Sequence, residues 1–203
     1  MQLLSNLELN NWDRIRRAHF INSLSGFKSA SLIGTINAKG QHNLALISNI
    51  VHLGADPALI GYINRPRAAT PHTLQNIEST GVYTINHIHP SFVVSAHQTS
   101  AKYPEGISEF EACSLTPFIV ADCRAPFVKE SIVGYALQLE DILPIRQNGT
   151  FLVIGKLLFA RFPEELLKED GFLDLETADS LASLGLDAYY RVEQVGRFPY
   201  ARP

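Results

Sequence analysis

The chain has 203 residues, 46% hydrophobic and 18% charged, which is enough apolar material for a sizeable core without staples. A net charge of −3 with no basic run argues against nucleic acid as a main partner. No apolar stretch approaches the roughly 20 residues of a membrane helix, no signal-peptide pattern opens the chain, and Cys113 and Cys123 read as two free thiols of a cytoplasmic protein.

Residues 1–28 are polar and irregular and read as an N-terminal extension, with a short helix around Trp12 to Phe20. "SASLIGTI" (29–36) is a strand and "NAKG" (37–40) its turn. "NLALISNIV" (43–51) reads as one strand apolar enough for burial on both faces, and "PALIGYIN" (57–64) as the next, reached through "GADP". The period then changes. Thr70 suits an N-cap and Pro71 a first helical position, Leu74 and Ile77 repeat at helical spacing, and Gly81 stops the run.

"VYTINHI" (82–88) returns to strand, a second helix starts at Ser91, and residues 100–115 read mostly as loop. Short strands are expected near 117–121 and 126–129. A long hairpin, "SIVGYALQLEDILPI" with "TFLVIGKLLFARF", is joined through Asn148-Gly149, the pair a tight type I′ turn prefers. Residues 163–184 read as helical, so 162–203 is expected to be a C-terminal helical extension. The order of elements predicts a mostly β fold with peripheral α-helices, a closed antiparallel barrel over residues 29–161.

Candidate chemistry is sparse. His87 and His89 form an H-x-H pair with His97 nearby, but no carboxylate or cysteine at ligand spacing completes a metal set. No G-x-S-x-G elbow, dinucleotide fingerprint or Walker loop is present. The stretch from 43 to 77 offers more, because Ser48, Asn49, Asn64, Arg65, Arg67, Thr70 and Thr73 cluster at the ends of apolar elements. A helix start presents unpaired N–H groups and a positive dipole end, a natural seat for phosphate. From the local sequence alone, a plain N-cap beside two solvated arginines is the more economical reading.

The phrases "NLALISNIVHLGADPALIGYINRP", "PHTLQNIESTGVYTINHI", "TSAKYPEGISEFEACSLTP", "APFVKES" and "FLVIGKL", in this order, resemble the flavin reductase-like family of FMN-binding split barrels. The resemblance covers roughly residues 28 to 160 and implies FMN as cofactor. It assigns Ser48, Asn49 and Ile50 to the isoalloxazine, Asn64, Arg65, Arg67 and Thr73 to the phosphate, and Ser100, Ala101 and Lys102 to a loop flanking the flavin. Thr70, with its hydroxyl at the helix start, joins the phosphate group. Many relatives carry Lys-Asp-Thr where this chain has Pro71-His72-Thr73, so a lysine that could meet the phosphate is missing, and Arg65, Arg67 and Lys102 are the candidates to compensate for it.

The implied activity is transfer of hydride from NAD(P)H to flavin, with the flavin carrying the redox chemistry and no side chain needed as acid or base. Two other readings stay open: an FMN-binding electron carrier, or a flavin-storage or sensing module, without a nicotinamide site of its own; and a barrel that has lost its flavin. The resemblance also implies a homodimer, for which Phe198 and Tyr200 are candidate interface aromatics; packing back onto their own barrel serves them equally well.

Overall fold

The computed structural model describes residues 1–69, 71–104, 106–120 and 122–202. Two short helices come first. Asn6–Asn10 (α1) is closed by a reciprocal capping box between Ser5 and Glu8, and Arg14–Leu24 (α2) by Asp13, whose carboxylate accepts from the Ile15 and Arg16 N–H groups. Then follow strands β1 (Lys28–Ser29), β2 (Ser31–Ile36), β3 (His42–Ile47), β4 (Ile50–Ala55) and β5 (Ala58–Asn64), helix α3 (Pro71–Thr80) and β6 (Val82–His87). A 3₁₀ turn (Pro90–Phe92) leads into α4 (Val93–Gln98), and α5 (Glu109–Ala112) interrupts the expected loop. Strands β7 (Pro117–Val120), β8 (Cys123–Val128), β9 (Gly134–Ile145) and β10 (Thr150–Arg161) complete the body, and β11 (Ala182–Leu184) and β12 (Ala188–Tyr190) lie beyond it.

The main sheet has seven strands in the order β3-β2-β6-β9-β10-β5-β4, with every pairing antiparallel. Its two edges, β3 and β4, are consecutive in the chain and separated only by Ser48 and Asn49. Two residues span at most about 7 Å, so the sheet must curl until its first and last strands meet at that point. No hydrogen-bonded pairing joins β3 to β4 among the described residues, however, so the ladder is not closed. The expected closed barrel is corrected to a curled sheet with an open seam. The same fact corrects the single strand expected over 43–51, because the chain must change neighbours there: Ile47 pairs with Ser31 and Ile50 with Tyr62.

Alternation along the strands separates two cores. Ile33, Tyr62, Tyr83, Ile85, Leu137 and Val153 point inward, and α3 drops Leu74 and Ile77 among them, all essentially buried. On the outer face of β2 and β3, Leu32 and Leu44 pack with Ile88, Phe92, Ala96, Phe110 and Leu181, which ties α4, α5 and the C-terminal segment to the sheet. The β7–β8 hairpin lies across β2 and β6, where Thr84 Oγ1 donates to Pro126 O at 2.5 Å and Asn86 Oδ1 accepts from Val128 N at 2.9 Å. Gly34 is required below it, since a Cβ there would collide with the Pro126 carbonyl.

Two further expectations fail. The β9–β10 connection is a four-residue loop in which only Gly149 has positive φ, and Ile145 O accepts from Gly149 N at 2.9 Å; a type I′ turn would need both central residues there. The stretch 163–184 is not helical. Apart from one 3₁₀ turn (Glu164–Leu166) it is a chain of turns, with Leu166 and Ala178 buried against Val133, and it ends in β11, which pairs with β1. The two ends of the chain thus share a small sheet, β1-β11-β12. No described helix is long and apolar enough to cross a membrane.

Candidate functional site

Ser48 and Asn49 are half-buried and belong to neither ladder, so their backbone groups stand at the seam without strand partners. Asn49 is held to β5, its Oδ1 accepting from Ile63 N at 3.3 Å. Ile50 pairs with Tyr62, and β5 then carries the chain to Asn64, which is 4% exposed and donates through Nδ2 to Arg65 O at 2.7 Å. The Tyr62 hydroxyl donates to Asn64 Oδ1 at 3.4 Å from the inner core. Ser48, Asn49, Ile50, Asn64 and Arg65 are therefore brought to one end of the curled sheet by the β4–β5 ladder.

The arginines behave differently from each other. Arg67 makes a bidentate ion pair with Glu78, one arm at 2.7 Å from Oε2 and the other on Oε1, and its guanidinium lies 5.1 Å from the Phe151 ring centroid. The pairing lowers the Glu78 carboxyl and raises Arg67, each chiefly through this hydrogen bond. Arg65 is exposed and has no ion pair among the described residues. Thr73 faces inward at 5% exposure, its Oγ1 accepting from Asn43 Nδ2 at 3.2 Å. A hydroxyl that accepts once still has its proton to donate. Thr70 lies outside the described residues. Neither Asn43 nor Glu78 figures among the sequence candidates. A buried amide within an apolar strand was a visible signal for Asn43, whereas Glu78, eleven positions from Arg67, carried none.

Ser100, Ala101 and Lys102 are exposed and follow α4, with Ser100 N donating to His97 O and Ala101 N to Gln98 O. They reach β3 from its outer face, because Ala96 and Tyr103 pack with Leu44 and Leu46. Helix α3 flanks β3 on the inner face, the α4 loop on the outer, and the seam lies at its end, but no direct contact joins the loop to the seam residues among those described. A cavity of about 280 Å³ lies beside α3, bordered by His42, Asn43, His72 and Asn76, and none of the ten described candidates lines it.

The histidines separate. His87 is held by Ser180 at 3.2 Å, and burial pushes it down to about 4, whereas His89 accepts from Ser91 N and caps the 3₁₀ turn. No cluster of three potential metal ligands occurs among the described residues.

Comparison with known proteins gives the same architecture. The chain superimposes, with a TM-score of 0.95 and 46% identity, on the crystal structure of a split-barrel protein from Shewanella frigidimarina NCIMB 400, provisionally named a flavin reductase, covering 99% of this chain and 100% of that one. An alignment of that extent and score includes the segment from 191 onward. Nitrilotriacetate monooxygenase component B from Bacillus cereus (TM-score 0.84, 20% identity, 98% of each chain) and flavoredoxin of Desulfovibrio vulgaris (0.75, 21%, 87% of this chain and 92% of that one) share the fold. The profile of the flavin reductase like domain matches residues 25–179, and with the curled, seamed sheet carrying polar groups at its open end, this chain belongs to the flavin reductase-like family.

Proposed function

We propose that the protein binds FMN at the seam and acts as an NAD(P)H-dependent flavin oxidoreductase. The observation that carries the reading is the break at Ser48–Asn49, which places half-buried backbone donors beside the end of β5, from which the chain runs through Arg65 to α3. The residues present suit the cofactor. A ring edge rich in acceptors fits free strand-end N–H groups, and a phosphate fits a helix start with an unpaired cation beside it. Bound FMN would supply the redox chemistry, accepting hydride from the nicotinamide and passing electrons onward.

The chain's own residues would bind and orient. Backbone groups of Ser48 to Ile50 meet the ring, with Asn49 fixed by Ile63. Arg65 and the first-turn N–H groups of α3 meet the phosphate, with Thr73 donating its remaining proton. Arg67 acts at one remove, fastening the 65–69 loop to α3 through Glu78, and Ser100 to Lys102 close the far side of β3. One phosphate seat, with no dinucleotide fingerprint, favours FMN over FAD. The reading places the protein in the cytoplasm as a homodimer.

The test is an absorption titration with FMN, FAD and riboflavin, followed by anaerobic addition of NADH or NADPH. Preferential FMN binding and prompt bleaching are expected. Bound FMN that resists bleaching would leave an electron carrier or flavin-storage module. No flavin binding would overturn the reading.

A further inference from the structure

Two crossed hydrogen bonds from asparagine to threonine dock α3 on strands β2 and β3. Thr35 and Asn43 are paired across the β2–β3 ladder, and Thr73 and Asn76, three positions apart on α3, share one helical face. Asn43 Nδ2 donates to Thr73 Oγ1 at 3.2 Å, and Asn76 Nδ2 donates to Thr35 Oγ1 at 3.1 Å. All four residues are buried, with Asn43 9% and Thr73 5% exposed. Apolar side chains of the same shape would dock the helix about as well, so docking alone does not call for this pairing. Thr73 also differs from the other hydroxyls of its helix. Ser79 and Thr80 both donate to Asn76 O, at 3.0 and 2.8 Å, the ordinary back-bond of a helical hydroxyl. Among the described residues Thr73 accepts from Asn43 and donates to nothing.

We infer that Asn43 is a positioning residue for the flavin phosphate: its amide N–H fills the acceptor side of Thr73 Oγ1 and so commits the Thr73 proton to a phosphate oxygen at the start of α3. An amide N–H can only donate, so it occupies a lone pair of the hydroxyl and turns the proton away from β3. A hydroxyl that already accepts is also the better donor, because the two bonds polarise one another. The Asn76–Thr35 bond has the same chemistry, but its hydroxyl sits on β2 and its amide on the helix, so it docks α3 without directing a proton from the first turn. The inference rests on the reading in which Thr73 meets the phosphate, and it adds the group that sets the direction of that bond.

The test reads the ratio of FMN to riboflavin affinity, which a general loosening of α3 leaves unchanged because it weakens both flavins alike. The full chain, Thr73→Val, Asn43→Leu, the double variant and Thr35→Val are titrated with both flavins by absorption and melted in parallel. The ratio should fall about tenfold in Thr73→Val, the loss of one hydrogen bond to the phosphate, and by roughly half of that on a logarithmic scale in Asn43→Leu. The double variant should fall no further than Thr73→Val, and Thr35→Val should keep the original ratio whatever its melting temperature. Asn43→Asp keeps the shape but can only accept, so it draws the Thr73 proton to itself; after the effect of its charge is subtracted with Asn43→Asp/Thr73→Val, its ratio should fall as far as in Thr73→Val. That variant carries the test if Asn43→Leu does not fold. A chain that binds no flavin, or an unchanged ratio in Thr73→Val, overturns the phosphate reading and the inference with it. A fall in Thr73→Val with an unchanged ratio in the folded Asn43 variants, additive losses in the double variant, or an equal fall in Thr35→Val overturns the role of Asn43 alone.

Discussion

Arg65 and Arg67 are two positions apart and have opposite environments. Arg67 is bound to Glu78 and Phe151, whereas Arg65 faces solvent with no carboxylate partner among the described residues. Arg65→Ala should therefore weaken FMN by roughly tenfold to a hundredfold, the range of a charge-assisted hydrogen bond of about 1.5–3 kcal/mol. Riboflavin, which lacks the phosphate, should be nearly unaffected. Arg67→Ala removes an exposed pair, costs at most about 1 kcal/mol of stability, and should weaken both flavins together. Parallel titrations decide, and equal losses for both ligands in Arg65→Ala would leave the phosphate seat unsupported.

His87 supplies a second residue-scale prediction. Burial holds its pKa at about 4, against roughly 6.5 in an unfolded chain. Above pH 6.5 both states keep the ring neutral. As pH falls from 6.5 to 4 the unfolded chain takes up a proton that the folded one refuses, so stability drops by about 2–3 kcal/mol. His42, also lowered by burial, acts in the same direction. In His87→Gln the difference between unfolding free energies from urea titrations at pH 7.5 and 4.5 should shrink by that amount, and an unchanged difference would contradict the assignment.

At the scale of elements, the inner face of the sheet is packed without slack around Tyr83. A Cβ at Gly155 would collide with the Tyr83 hydroxyl and come within 2.9 Å of Leu137 Cβ, and that hydroxyl is itself buried without a hydrogen-bond partner among the described residues. Gly155→Ala should cost about 1–3 kcal/mol through overpacking. Tyr83→Phe alone should be neutral or stabilising, because it deletes an unsatisfied polar atom, and it should recover part of the loss in the double variant. Thermal melts of the four proteins test this. Purely additive losses would mean that the two residues do not meet.

Elements also show where sequence reading stopped. Polar residues closing apolar runs marked Ser48, Asn49 and Asn64 plainly, and helical spacing marked Leu74 and Ile77. The seam was invisible, because "NLALISNIV" is uniformly strand-like and nothing local says that its two halves serve opposite sheet edges. The stretch 163–184 misled for a similar reason. Its leucines and acidic residues favour helix, but Gly171 and Asp179 adopt positive φ, Asp174 accepts from Thr177 N, and Leu166 and Ala178 bury against Val133; tertiary contacts override so weak a propensity.

For the molecule as a whole, the thiols offer a probe of cooperativity. Cys113 and Cys123 are free, buried, and placed in separate clusters, one under α4 and α5, the other under the β7–β8 hairpin. Burial raises both above the ordinary thiol range, which further suppresses reactivity. Under native conditions both should react with a thiol reagent slowly and at one common rate, that of global opening. Rapid labelling of one alone would show that its cluster opens independently.

Composition, strand alternation, turn residues and the flavin reductase-like phrases determined from the sequence alone that this is an antiparallel β protein of a flavin family, since each is a local pattern or a sum over residues. The tertiary structure alone decided that the barrel's ladder stays open at Ser48–Asn49, that Arg67 is committed to Glu78 while Arg65 is not, and that Phe198 and Tyr200 are exposed while Arg191 and Arg197 tie their segment to Asp179 and Asp170. Each depends on which distant groups meet once the sheet has curled. Pairing partners and exposure belong to pairs of residues far apart in the chain, and no local window contains both members of such a pair.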